Sequence, residues 1–288
     1  MTHERQLVTS RAHCVPVSVV IPCYRSGATI GRAVESVLKQ TALPAEIILV
    51  DDCSGDSTLE TLKGLAARQS EPAIRVLALE RNSGPGAARN EGWRASSKPY
   101  LALLDHDDTW HPRKLEIQYG WMKEHPDVAL TGHRIVKIDE GAAPPPLPDD
   151  CRADRISRWG LLLSNRFETS SVMMRNDVPA RFDISQQRLE DYLLWLDVVL
   201  RGRAAWRLEM PLAMRHKAAF GEGGLSERLW TMEKWELNVY RRVWKEGLIN
   251  FPSLVVLFAW SLARFARRVA VTGLRMATAP ARWAPPSR

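Results

Sequence analysis

The stretch Tyr100-Leu101-Ala102-Leu103-Leu104-Asp105-His106-Asp107-Asp108-Thr109-Trp110 sets a short apolar run directly against a cluster of acids. A run of that length bounded by polar residues reads as a buried strand. Asp105, Asp107 and Asp108 would repel one another unless a cation offsets their charge. Upstream, Ile47-Ile48-Leu49-Val50 stops in the same way at Asp51-Asp52. Two predicted strands therefore end in carboxylates.

Outward from these strands, the first hundred residues alternate between strand-like and helix-like patterns. Val17-Ser18-Val19-Val20-Ile21 is β-branched and stops at Pro22, and Ile30, Val34, Val37 and Leu38 then recur at helical spacing until a break at Thr41–Pro44. Leu59, Leu62 and Leu65 mark a second helix, with Ser54 or Asp56 as its cap. A third strand, Ile74–Leu79, leads through a Gly-rich turn into a helix over Ala87–Ala95. Such alternation predicts an α/β fold, a mostly parallel sheet covered on both faces. Ligands of such sheets bind beyond the carboxyl ends of the strands, where the acids lie. His111-Pro112 reads as the start of the next helix.

Gly141–Asp150, with Pro144, Pro145, Pro146 and Pro148, reads as a surface loop. Beyond it the pattern predicts a helix near Ile156–Leu163, a strand at Ser171–Arg175, a helix at Leu189–Leu200 and a strand at Ala204–Leu208. A long helix follows over Ser226–Lys245.

The 288 residues are 45% hydrophobic and 25% charged, which excludes a disordered chain, a collagen-like repeat and a disulfide-stapled miniprotein. The net charge of +7 is uneven. The last acid is Glu246, and six of the seven excess charges are Arg264, Arg267, Arg268, Arg275, Arg282 and Arg288. The basic balance thus belongs to a tail, which argues against nucleic acid as a partner. Cys14, Cys23, Cys53 and Cys151 have no metal-site spacing and read as free thiols of a reducing compartment. Met1–Cys14 has no apolar run of the kind a secretory leader needs, which points to a chain that stays in the cytoplasm.

Phe251–Ala263 is uncharged over thirteen residues, too short to cross a bilayer. On a helix, Ser261, Arg264, Arg268, Thr272 and Arg275 form one polar seam, while Leu254, Phe258, Leu262, Phe265 and Val269 line another side. An Arg-only stripe beside an apolar face predicts contact of residues 251–276 with an anionic membrane surface. Docking on the domain or on a second copy is the alternative.

Three constellations could carry chemistry. Asp105-His106-Asp107-Asp108 supplies the oxygen ligands that Mg²⁺ or Mn²⁺ shares with substrate phosphates, or else is a solvated acidic turn. It also matches the D-x-D-x-T loop of haloacid-dehalogenase-type phosphatases. Asp51-Asp52 precedes it, however, and no G-D-x-x-x-D string follows, so the order is wrong. Asn82-Ser83-Gly84-Pro85-Gly86-Ala87-Ala88-Arg89-Asn90 opens a helix with a Gly-rich turn, a place for an anion or simply a helix start. Glu190-Asp191 begins another helix, where carboxylates suit the dipole and where one could serve as a general base.

Taken together, Val17–Tyr24, Val50–Thr58, Asn82–Asn90 and Leu104–Trp110 resemble the family 2 inverting glycosyltransferases of the GT-A fold, with Thr169–Arg175 and Glu190-Asp191 continuing the match over roughly residues 15–225. The resemblance implies that Pro22 and Tyr24 border the base of a nucleotide-sugar donor. It implies that Asp52 bonds the base or ribose, Arg89 lies near the diphosphate and Asp105 shapes the site. Asp107 or Asp108 would bind Mg²⁺ or Mn²⁺, with His216 completing the shell. Asp191 would be the general base, with Glu190 as the second choice. The mechanism implied is one-step inversion onto a hydroxyl of a glycan or lipid-linked acceptor, by a peripheral enzyme on the inner face of the cytoplasmic membrane. The donor would most commonly carry UDP.

A non-catalytic nucleotide-sugar-binding or scaffold protein of the same fold is the rival class, and it predicts damaged acids. Asp105, Asp107, Asp108 and Asp191 are all present. Nucleotidyl transfer would favour a Gly-rich loop after the first strand, whereas Pro22–Gly27 has one glycine. The expected organisation is a tail over 1–14, a GT-A domain over 15–225, a covering helix over 226–250 and an Arg-rich helix and tail over 251–288. The sequence leaves the oligomeric state open.

Overall fold

The computed structural model describes residues 13–139, 141–216 and 225–278. The chain divides into two compact units, Met1–Ala219 and Phe220–Arg288.

The first unit is built on a mixed sheet. Its strands are β1 (His13–Cys23), β2 (Ala42–Asp51), β3 (Ala73–Ala78), β4 (Tyr100–Leu103), β5 (Asp108–Trp110), β6 (Val128–Lys137), β7 (Ala153–Arg155), β8 (Met173–Arg175) and β9 (Ala204–Arg215). Its helices are α1 (Ile30–Leu38), α2 (Thr58–Ala67), α3 (Pro85–Ala95), α4 (Lys114–Glu124), α5 (Arg158–Leu163) and α6 (Glu190–Leu200). The strand order is β3-β2-β1-β4-β8-β6-β9-β5, with β7 paired to β9. The long pairings, β1 with β2, β2 with β3, β1 with β4 and β6 with β9, are parallel. The short ones, made by β5, β7 and β8, are antiparallel.

Residues 47–51 of β2 are buried without interruption, as a strand covered on both faces must be. On one face Val19, Ile21, Ile47 and Leu49 pack with Ile30, Val34 and Val37 of α1, Leu62 of α2 and Leu115 of α4. On the other, α3 lies so close to β1 that a Cβ on Gly92 would come within 2.4 Å of Val20 Cγ1. The second unit is a pair of helices, α7 (Leu225–Lys245) and α8 (Phe251–Thr278).

Several boundaries differ from the sequence expectation. The expected tail over 1–14 gives way to β1 at His13, and residues 1–12 lie outside the described residues. The expected break at Thr41–Pro44 is the start of β2: Pro44 faces Val15 beside a register shift, where a missing N–H costs the ladder least. Helix α2 begins after Ser57, and Asp56 Oδ1 accepts from Thr58 N at 2.9 Å. The helix expected at His111-Pro112 starts at Lys114. β5, β6 and β7 have no counterpart in the sequence expectation.

The arginine seam of α8 is the largest correction. It faces α7: Arg264 pairs with Glu236, and Arg268 reaches Glu233 at 2.8 Å. Ser261 is fully buried and donates to Glu233 Oε1 at 2.7 Å. Two acids on α7 claim the cations meant for anionic lipid, so the seam is no open basic stripe. Arg275's side chain lies outside the described residues.

Candidate active site

Parallel strands β1, β2 and β4 bring their carboxyl ends to one edge of the sheet, and a cleft of about 360 Å³ opens there. Pro22, Cys23 and Tyr24 come from the end of β1, Asp52 from the end of β2 and Asp105, His106 and Asp107 from the end of β4. Asn82, Gly84, Pro85, Ala88 and Arg89 come from the turn into α3. Six predicted site residues therefore share one cavity: Pro22, Tyr24, Asp52, Arg89, Asp105 and Asp107.

Asp52 works inside the protein as a clasp. Its Oδ1 accepts from Ser83 N and its Oδ2 from Gly84 N, both at 2.8 Å, and its carbonyl accepts from Asn82 Nδ2 at 3.1 Å. Gly84 adopts φ of +86°, a conformation that favours glycine, and this lets the turn present both N–H groups to one carboxylate. Burial lifts the Asp52 carboxyl above its ordinary range against those two donors, and Asp51 adds to the rise.

Arg89 is buried and doubly paired: Nη2 lies 2.8 Å from Asp105 Oδ1 and Nη1 2.9 Å from Glu190 Oε1. Burial opposes its charge, but Asp105 and Glu190 more than offset that and hold the guanidinium above its ordinary pKa. The segment leading into α6 reaches Arg89 because Asn90 of α3 exchanges two hydrogen bonds with the Phe182 backbone. Tyr192 then ties α6 to α5 through the Leu161 carbonyl, 2.8 Å from its hydroxyl.

Glu190 lines a second, polar hollow of about 330 Å³ on the far side of the Asn82–Ala87 turn. Asp191 lines neither cavity. Its Oδ2 accepts from Thr169 Oγ1 at 3.3 Å and its Oδ1 from Tyr192 N at 2.7 Å. Desolvation, then the neighbouring Glu190, push its pKa up to about 6, with Arg89 pulling the other way.

The metal set is only partly assembled. Asp107 faces the cleft, but Asp108 begins β5, is buried, and accepts from Ser170 Oγ at 2.6 Å. Burial and then Asp105 and Asp107 push the Asp108 carboxyl up to about 7 against that bond. His216 Nε2 bonds Thr109 Oγ1 at 2.9 Å. Among the described residues, no group of three His, Cys, Asp or Glu side chains is placed to hold a metal. Asp108 and His216 are thus turned to Ser170 and Thr109, and of the three expected ligands only Asp107 faces the cleft.

Sequence reasoning passed over Ser170 and Asn90 as positioning groups, although both lie in the blocks that carried the resemblance. Ser170 Oγ accepts from Asp105 N at 3.1 Å while donating to Asp108, and so links the first and last acids of the cluster. The backbone holds a further signal. The described non-glycine residues with positive φ are Arg25, Cys53 and Leu189, each next to a predicted site residue: Tyr24, Asp52 or Glu190. Strained backbone of this kind gathers at functional sites.

Residues 18–179 match the family described as glycosyl transferase family 2. The glycosyltransferase TuaG of Bacillus subtilis (strain 168), named for teichuronic acid biosynthesis, is 30% identical over 235 residues, covering 79% of this chain and 88% of that one. WfgD of Escherichia coli, a UDP-Glc:alpha-D-GlcNAc-diphosphoundecaprenol beta-1,3-glucosyltransferase, is 28% identical over 188 residues, 64% of this chain and 69% of that one. The crystal structure of Staphylococcus aureus TarS 1–349 in complex with UDP-GlcNAc superposes with a TM-score of 0.64 at 21% identity, covering 85% of this chain and 71% of that one. At that identity the likeness concerns the fold.

Proposed function

The chain belongs to glycosyl transferase family 2, and on that premise we propose that it transfers a sugar from a UDP-sugar to a hydroxyl of a lipid-linked or polysaccharide acceptor, with inversion, in cell-surface glycan synthesis. The observation that carries this reading is the single cleft at the strand ends, where Asp52, Arg89, Asp105 and Asp107 meet. WfgD's donor and its diphosphoundecaprenol acceptor give the reading its substrate class, and such an acceptor would place the enzyme at the inner face of the cytoplasmic membrane.

In this reading Pro22 and Tyr24 flank the base, and the clasped turn at Ser83-Gly84 borders the diphosphate. Arg89 offers the one buried cation of the cleft wall to the leaving group. The acceptor oxygen attacks the anomeric carbon, the bond to the diphosphate oxygen breaks, and the acceptor proton passes to a carboxylate. Asp191 is the better base. The Glu190 carboxylate is already paired with Arg89, whereas Asp191 titrates near 6, close to working pH. Glu190 then acts by positioning Arg89.

A divalent ion fits the donor set in one way. The acids supply hard oxygen ligands without a closed three-ligand cage, which is how Mg²⁺ or Mn²⁺ binds when it shares substrate phosphates. Asp107 would hold it, and it would neutralise charge developing on the departing diphosphate.

The test is a thermal-shift panel of UDP, TDP, GDP and CDP, each with Mn²⁺, Mg²⁺ or EDTA. UDP at about 100 times Kd should add about 2.7 kcal/mol. That gain should shrink in EDTA and in Asp107→Ala. Stabilisation by none of the four nucleotides would overturn the assignment.

A further inference from the structure

The α7–α8 pair has a mixed interior, with Val239, Val243, Leu254 and Leu257 buried beside a polar seam, and it keeps a broad apolar face outside. The face of α8 that meets α7 carries Ser261, Arg264 and Arg268, all engaged with Glu233 and Glu236. The face turned away carries Val255, Val256, Trp260, Leu262, Val269 and Val271, each 44–55% exposed. Between Phe251 and Thr272, Arg267 is the exposed charge, while Arg264 and Arg268 are half-buried. At about 100° per residue the exposed positions sweep about 200° of arc. A helix facing only water keeps that much of its circumference polar.

The surroundings say what covers this face. Among the described residues of the two helices, the exposed charges are Lys234, Arg241, Lys245 and Arg267 against Glu246. Exposed Trp230, Trp244 and Trp260 are side chains suited to a headgroup boundary. A second copy laid on the face would bring like charges together. No helix among the described residues is long and apolar enough to cross a membrane.

We propose that α8 lies in the plane of an anionic bilayer surface, its outward apolar face among the acyl chains and the flanking lysines and arginines against phosphate headgroups. The seam arginines serve the opposite purpose. They satisfy Glu233 and Glu236 inside the pair, so that no charge need be buried unpaired when lipid replaces water outside. This does not depend on the reaction assigned above.

The experiment is co-sedimentation of the full chain with vesicles of phosphatidylcholine alone or with phosphatidylglycerol. Binding to the anionic vesicles is expected, with a blue shift in tryptophan emission. The double variant Val256→Glu/Ala263→Glu alters two exposed positions, and a helical spectrum equal to wild type shows that it folds. It should bind at least about tenfold more weakly, since each substitution removes apolar surface and adds a charge at the acyl boundary. Three results overturn the proposal: a wild-type chain that stays in the supernatant, a double variant that binds as tightly as wild type, or a wild-type dimer that ignores vesicles and dissociates in the double variant.

Discussion

Glu190 and Asp191 are adjacent carboxylates in one helical turn, and their surroundings differ. Arg89 takes Glu190, and Asp191 is left with a hydroxyl and a backbone N–H as partners. Asp191→Asn should keep UDP binding and lower turnover by at least about 10²-fold, as loss of a general base does. The same assignment fixes a pH profile. The Asp191 carboxyl is raised to about 6, so below that pH it carries a proton and cannot accept another. Turnover should climb as pH rises through about 6 and then level off. A flat profile from about pH 5 to 8 would remove Asp191 from the role. The residue types at this site, and through the resemblance the preference for Asp191 over Glu190, were legible in the sequence, but the pairing of Glu190 with Arg89 was not. Nothing in Glu190-Asp191 as a string says which carboxylate meets an arginine 101 positions earlier.

At the scale of elements, the strands read most directly are the buried ones at the centre of the sheet, although β3, with alternating burial, was readable too. Ile47–Val50 and Tyr100–Leu103 are continuous apolar runs, and Val17–Ile21 is broken only by buried Ser18, because helices cover both faces of the sheet there. β6 escaped notice because Gly132-His133-Arg134 interrupts its apolar pattern. β5 escaped because Asp108-Thr109 reads as an exposed acidic turn, although a serine from a distant segment pays for the burial of that aspartate. The fit of α3 on β1 was equally hidden, since a glycine inside a helix reads as a weakness rather than a contact. Gly92→Ala should destabilise the chain by about 1–3 kcal/mol through overpacking against Val20. Adding Val20→Ala should recover part of that loss in urea unfolding, and a neutral Gly92→Ala would refute the close approach.

For the whole molecule, the sequence identified the fold class and pointed to the edge of the sheet where the candidate cleft opens, because a parallel sheet needs buried strands and ends them together. It also isolated the basic tail by counting charges. Periodicity separated the faces of α8, but it could not say which face turns inward. The acids that decide the matter lie 28 and 35 positions away on α7. One global test follows from the position of the cleft. In amide hydrogen exchange, UDP should slow residues at the carboxyl ends of β1, β2 and β4 and at the start of α3. Protection at the opposite edge of the sheet instead would mean that the nucleotide binds elsewhere.

The Asp52 clasp has a bearing on how tightly such a ligand can be held. A glycine-containing turn left to itself samples many conformations, and freezing each residue on binding costs about 1–2 kcal/mol of conformational entropy. Here two N–H groups and an asparagine side chain are already fastened to one buried residue before anything arrives. The turn is therefore ordered when the protein folds. Under the proposed reading, a diphosphate would meet a surface with little freedom left to lose, and the cost of ordering a loop would not fall on its binding.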